Sequence, residues 1–126
     1  MVNHVLVLAD DLEATRAFYC DALGFEQAET PELPFPGVWL ALDGRACVHV
    51  AERTAYEKWA ATLGLQPAAG PLDHVAFRRT NHDELTARLE RAGVDVVSNE
   101  VPGLFRQLFV TDPNGLRIEL QVPLDG

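Results

Sequence analysis

The chain has 126 residues, of which 48% are apolar and 23% charged, the length and composition of one globular domain with its own core. Ten basic against nineteen acidic residues leave a net charge of −9, which repels phosphate backbones and argues against general nucleic-acid binding. No apolar run approaches the roughly 20 residues that span a bilayer. The N-terminus, MVNHVLVLADD, lacks the basic region and cleavage site of a signal peptide. Two cysteines, Cys20 and Cys47, are too few for a disulfide framework, so a reducing cytoplasm is the expected location.

The first apolar stretch, residues 3–9, reads as a buried strand with His4 at its mouth. DDLEATRAFYCDALGF follows. Asp10 or Asp11 can cap a helix, Glu13 lies in its first turn and Gly24 suits its end. Residues 25–30 read as a strand, and TPELPFPG, with three prolines, as a loop. GVWLALDG and RACVHVAE make two strands across an Asp-Gly turn. Residues 53–70 read as a linker with a short helix, TAYEKWAATLG, ahead of QPAAGP.

The order then recurs. PLDHVAFRR is a strand opened by His74. Thr80 and Asp83 suggest a capping-box-like start for a helix that ends at Gly93. Residues 94–97 read as a strand, and FRQLFVTD and GLRIELQV as a hairpin across DPNG. The chain is therefore βαβββ (1–52), linker (53–70), βαβββ (71–126). The pairs His4 and His74, and His49 and Glu119, share one offset of 70 residues.

Strand alternation puts His49 on the face opposite Val48 and Val50, and Glu119 opposite Ile118 and Leu120. His4 and His74 are likewise opposed to their apolar neighbours. Three imidazoles and a carboxylate are a sound donor set for Zn, Fe(II), Mn, Co or Ni. An octahedral shell with four protein donors leaves two positions for neighbouring substrate oxygens. Each residue alone has an ordinary reading, a polar strand end or a solvent-facing Glu; the constellation carries the case. Gln107 shares a face with Phe109 and is a candidate to orient a substrate oxygen. Trp39 is a candidate pocket wall or core residue, Arg53 a candidate anion contact or surface arginine. Cys47 shares the face of His49, and Tyr56 and Trp59 are a lid, core or dimer contact. His82, at a helix start, reads as surface.

On D-L-E-A-T-R-A-F-Y-C-D-A-L-G-F (11–25), W-L-A-L-D-G (39–44), D-H-V-A-F (73–77) and D-P-N-G-L-R-I-E-L (112–120), the chain resembles the vicinal oxygen chelate superfamily. That group includes glyoxalase I, extradiol dioxygenases, methylmalonyl-CoA epimerase, fosfomycin-resistance enzymes and bleomycin-binding proteins. The resemblance implies an α+β fold in which tandem βαβββ modules form a cupped eight-stranded mixed sheet with helices outside. It implies metal ligands at His4, His49, His74 and Glu119, one divalent metal per site, and a homodimer whose modules pair within or between chains. It also implies that Glu119 acts as both ligand and general base. A fourth donor at His49 leans toward a lyase or isomerase acting on a small carbonyl compound. Leu8 and Arg53 stand where glyoxalase I usually has a glutathione-binding Arg and Asn, so those contacts do not carry over. The alternatives are an Fe(II) extradiol-type dioxygenase and a non-catalytic protein that binds an antibiotic or other small molecule.

Overall fold

The computed structural model describes residues 2–30, 32–64 and 74–125. The stretch QPAAGP and the residues just before His74, including Asp73, lie outside the described residues. The first module runs β1 (Val5–Ala9), α1 (Leu12–Ala17) with a π-helical turn (Phe18–Ala22), β2 (Glu26–Ala28), β3 (Gly37–Leu42) and β4 (Arg45–Glu52). Next comes α2 (Arg53–Thr62), within the stretch read as a linker. The second module runs β5 (His74–Arg78), α3 (His82–Arg91), β6 (Val97–Val101), β7 (Phe105–Thr111) and β8 (Arg117–Pro123). The eight strands form two four-stranded mixed sheets of identical order, β1-β4-β3-β2 and β5-β8-β7-β6. The expected α+β pair of βαβββ modules is therefore present.

Local chemistry explains most element boundaries. Asp11 caps α1 by accepting from the Ala14 N–H at 2.9 Å. The β3–β4 hairpin turns on Asp43 (φ 52°) and Gly44 (φ 76°), a left-handed pair that matches strand twist. Two expectations shift. The cap of α3 is Asn81, not Thr80: its Oδ1 accepts from the Glu84 N–H and its Nδ2 donates to Glu84 Oε2. The strand expected at 94–97 lies at Val97–Val101. Val94 is instead spent on closing α3, its N–H donating to the Leu89 carbonyl at 3.0 Å.

One core joins both modules. Val7, Leu40, Val48 and Val50 of the first sheet meet Leu108, Val110, Ile118 and Leu120 of the second through Tyr19, Leu23, Phe25, Leu85 and Leu89. Each fully buried side chain of this kind contributes about 1.5–3 kcal/mol. The DPNG turn ties the modules together. Tyr19 donates its hydroxyl to Asp112 Oδ2 at 3.1 Å. Asn114 Nδ2 donates to Thr15 Oγ1 at 3.0 Å, and Asn114 Oδ1 accepts from the Asp10 N–H at 3.1 Å. Asp112 Oδ1 accepts from the N–H groups of Asn114 and Leu116, so its carboxylate is fully engaged. Burial, and then the Asp112 charge, push the Tyr19 hydroxyl well above the usual tyrosine range. Among the described residues no helix is long and apolar enough to cross a membrane.

Candidate functional site

Because Val48, Val50, Ile118 and Leu120 face the core, alternation turns His49 and Glu119 to the opposite faces of their sheets. Both are nonetheless buried, at 7% and 6% exposure. The register makes the two faces direct counterparts. Trp39 stands opposite His49 on β3, and Phe109 stands opposite Glu119 on β7.

On the first face, the Trp39 and His49 rings stack with centroids 4.4 Å apart and planes 10° apart. Phe35, from the proline-rich loop, stacks on His49 at 5.8 Å. Tyr56 and Trp59 of α2 pack on Phe35, so the helix after β4 covers this face. The exposed His4 ring lies against Trp39 with centroids 4.9 Å apart and planes 65° apart. Gly37 makes the arrangement possible: a Cβ there would lie 2.6 Å from the Val50 carbonyl oxygen and 3.3 Å from His49 Nε2. His49 Nε2 and Trp39 Nε1 are buried with no hydrogen-bond partner among the described residues. Burial, and then the nearby His4, hold the His49 imidazole below its ordinary pKa, which favours its neutral form.

On the second face, His74 Nε2 stands 3.2 Å from Glu119 Oε1. Glu119 Oε2 accepts from Gln121 Nε2 at 3.3 Å. Gln107 pairs in register with Gln121, and its carbonyl accepts from Asn99 Nδ2 at 2.7 Å. The amide nitrogen is then the end Gln107 can offer a substrate oxygen. A groove of about 550 Å³ lined by Phe18, Val94, Phe109 and Arg117 lies beside this face and does not include Glu119, His74 or Gln107.

The four expected donors thus fall into two pairs, His4 with His49 and His74 with Glu119. Among the described residues, no three or more His, Cys, Asp or Glu side chains form a group that could hold a metal. The second pair fits a metal by its spacing. Two donors about 2.1 Å from one ion, at tetrahedral to octahedral angles, stand about 3.0–3.4 Å apart. Arg53 is set aside from both pairs. Its Nε bonds Asp10 at 3.0 Å and its Nη1 approaches Glu57 at 3.5 Å, holding α2 to the end of β1. Cys47 lines a cavity of about 260 Å³ with His4, Arg45 and Phe77, and His82 lies 3.6 Å from Asp83 at the start of α3. Sequence reading missed Phe35 and Gln121. The 70-residue offset had a signal for the latter, because Gln107 and Gln121 replace Gly37 and Ala51 of the first module.

Residues 1–120 match the family model of the Glyoxalase/Bleomycin resistance protein/Dioxygenase superfamily. Over 124 residues the chain is 34% identical to Glyoxylase I 4 of Arabidopsis thaliana, covering 94% of this chain and 68% of that protein. It is 31% identical to YaeR of Escherichia coli K12, covering 94% of this chain and 93% of that one. Among solved structures, TnmS3, an antibiotic binding protein from Streptomyces sp. CB03234, superposes with a TM-score of 0.68 at 25% identity, over 98% of this chain and 95% of that one.

Proposed function

This chain belongs to the glyoxalase/bleomycin resistance protein/dioxygenase superfamily, and from that premise we propose that it is a divalent-metal-dependent lyase or isomerase acting on a small carbonyl compound. The observation that carries the reading is the buried Glu119 carboxylate with an oxygen 3.2 Å from His74 Nε2. His74 and Glu119 hold the metal with His4 and His49. Within one chain the two pairs stand on separate sheets, so the full donor set comes from two copies, the first module of one facing the second module of the other. The metal, when bound, supplies a Lewis acid that acidifies a C–H beside a chelated carbonyl. Glu119 takes that proton at a carboxylate oxygen and returns it to the neighbouring carbon. The Gln107 amide N–H orients a substrate oxygen, and Trp39 and Phe109 wall off water.

A second reading, a small-molecule binding protein, is favoured by the sandwich of His49 between Trp39 and Phe35. The similarity to an antibiotic-binding protein points the same way. Elemental analysis of protein purified without chelator or His-tag separates the two. The enzyme reading expects about one divalent metal per chain, lost in Glu119→Ala and weakened in His49→Ala. No metal after incubation with Zn, Mn, Co, Ni or Fe(II) would leave the binding reading. Iron retained in His49→Ala, with substrate-dependent O₂ uptake, would point to a dioxygenase instead. Mixing inactive His4→Ala with inactive Glu119→Ala tests the two-copy site: activity returns if each site draws on two chains, because one of the two sites in a mixed dimer is then intact.

A further inference from the structure

We propose that Gln121 is a positioning residue that pins Glu119 Oε2 and so restricts Glu119 to a single-oxygen contact with the metal through Oε1. The inference rests on the metal-site reading above. A carboxylate turns about its last C–C bond and can present one oxygen or both to an ion. Here its two oxygens are spoken for differently. Oε1 lies 3.2 Å from His74 Nε2, on the side where the second donor stands. Oε2 accepts the Gln121 amide N–H at 3.3 Å. The Glu119 side chain is only 7% exposed, so water competes poorly for either oxygen.

Gln121 stands within a polar row. Asn99, Gln107, Gln121 and Arg78 occupy partnered positions across β6, β7, β8 and β5. Partnered residues share a sheet face, so this row borders Glu119 on its own face. The duplicated fold supplies an internal comparison. The position that corresponds to Gln121 in the first module is Ala51, two residues past His49. His49, whose ring can offer one nitrogen at a time to an ion and so has no one-oxygen or two-oxygen choice to fix, has no amide at that position. The amide occurs in the module whose donor is a carboxylate. Holding Glu119 to one oxygen keeps a coordination position open for a substrate oxygen and leaves Oε2 close to where a substrate proton departs.

Cobalt(II) provides the probe, because its visible absorption reports coordination number and its affinity can be read by competition with a chromophoric chelator. The variants are Gln121→Met, which keeps the volume and removes the N–H, and Gln121→Ala, which cannot overpack. Both are expected to keep the wild-type far-UV circular dichroism, with a melting temperature lowered by about a few degrees for the unpartnered carboxylate oxygen. Both are expected to bind cobalt about 10- to 100-fold more weakly, as when a hydrogen-bond partner of a ligand is removed. Their visible bands are expected to lose intensity together, as a second carboxylate oxygen raises the coordination number. If cobalt binds the wild type and is lost in Glu119→Ala, but both Gln121 variants keep wild-type affinity and spectrum, the positioning role is overturned while the metal site stands. If the wild type binds no cobalt, both fall.

Discussion

The two sheet faces descend from one pattern and have been built in opposite ways. In the first module, small residues at Gly37 and Ala51 leave a shelf beside His49, and Phe35 and α2 fill it with aromatic rings. In the second, Gln107 and Gln121 stand at the same two positions, and the face is a polar row around Glu119. The contrast teaches what each donor type requires. A neutral imidazole is stabilised by an apolar, stacked environment that disfavours its charged form. A buried carboxylate needs hydrogen-bond donors at both oxygens. A duplicated backbone therefore places the candidate donors, and the residues around them decide their state.

The sharpest way to break the comparison is to remove each donor. Glu119→Ala should lower turnover by about 10³-fold, the range for losing a general base, and should cost the metal as well. His49→Ala should weaken metal binding by about 100-fold or more, beyond the loss from removing a ligand's hydrogen-bond partner, while leaving measurable turnover at saturating metal. Equal losses from the two would contradict that asymmetry between the faces. Next in size is the aromatic wall. Trp39→Ala should destabilise the protein by about 3 kcal/mol in urea unfolding, through lost packing against His49 and His4. Gln107→Ala, on the other face, should stay within about 0.5 kcal/mol and change KM instead.

The shelf itself can be tested. Gly37→Ala puts a Cβ against the Val50 carbonyl oxygen and should cost about 1–3 kcal/mol. A smaller effect than that of the shelf belongs to the tie between modules. Tyr19→Phe should cost about 1 kcal/mol near neutral pH by removing the bond to Asp112. It should also flatten the alkaline loss of stability. The folded protein holds the Tyr19 proton above the usual range, while the unfolded chain releases it near pH 10. Above that pH the unfolded state binds fewer protons, so wild-type stability should fall by up to about 1.4 kcal/mol per pH unit. Urea midpoints at pH 9 and pH 11 for both proteins read that difference.

The βαβββ repeat, both hairpin turns and the sidedness of His49 and Glu119 were legible because they depend on short-range rules: period-two alternation, Asp-Gly and Asp-Pro-Asn-Gly turns, and capping residues. The misplacement of β6 has a local cause. Val94 belongs to an apolar cluster that looks strand-like, but closing α3 after Gly93 uses its N–H and carries its side chain to the core. The cap at Asn81 was missed because Thr80 and Asp83 mimic a capping box one residue early.

The sequence alone determined the repeat and the chemical identity of the four candidate donors, since a 70-residue offset and strand alternation survive any packing of the modules. Only the tertiary structure decided which donors meet. Whether His74 stands beside Glu119, or His49 beneath Trp39 and Phe35, depends on strand order and register, which bring together residues distant in the chain. The separation of the two pairs within one chain follows instead from how the modules pack. They share one core through their helices and the Tyr19–Asp112 tie, and no periodicity along the chain encodes that contact.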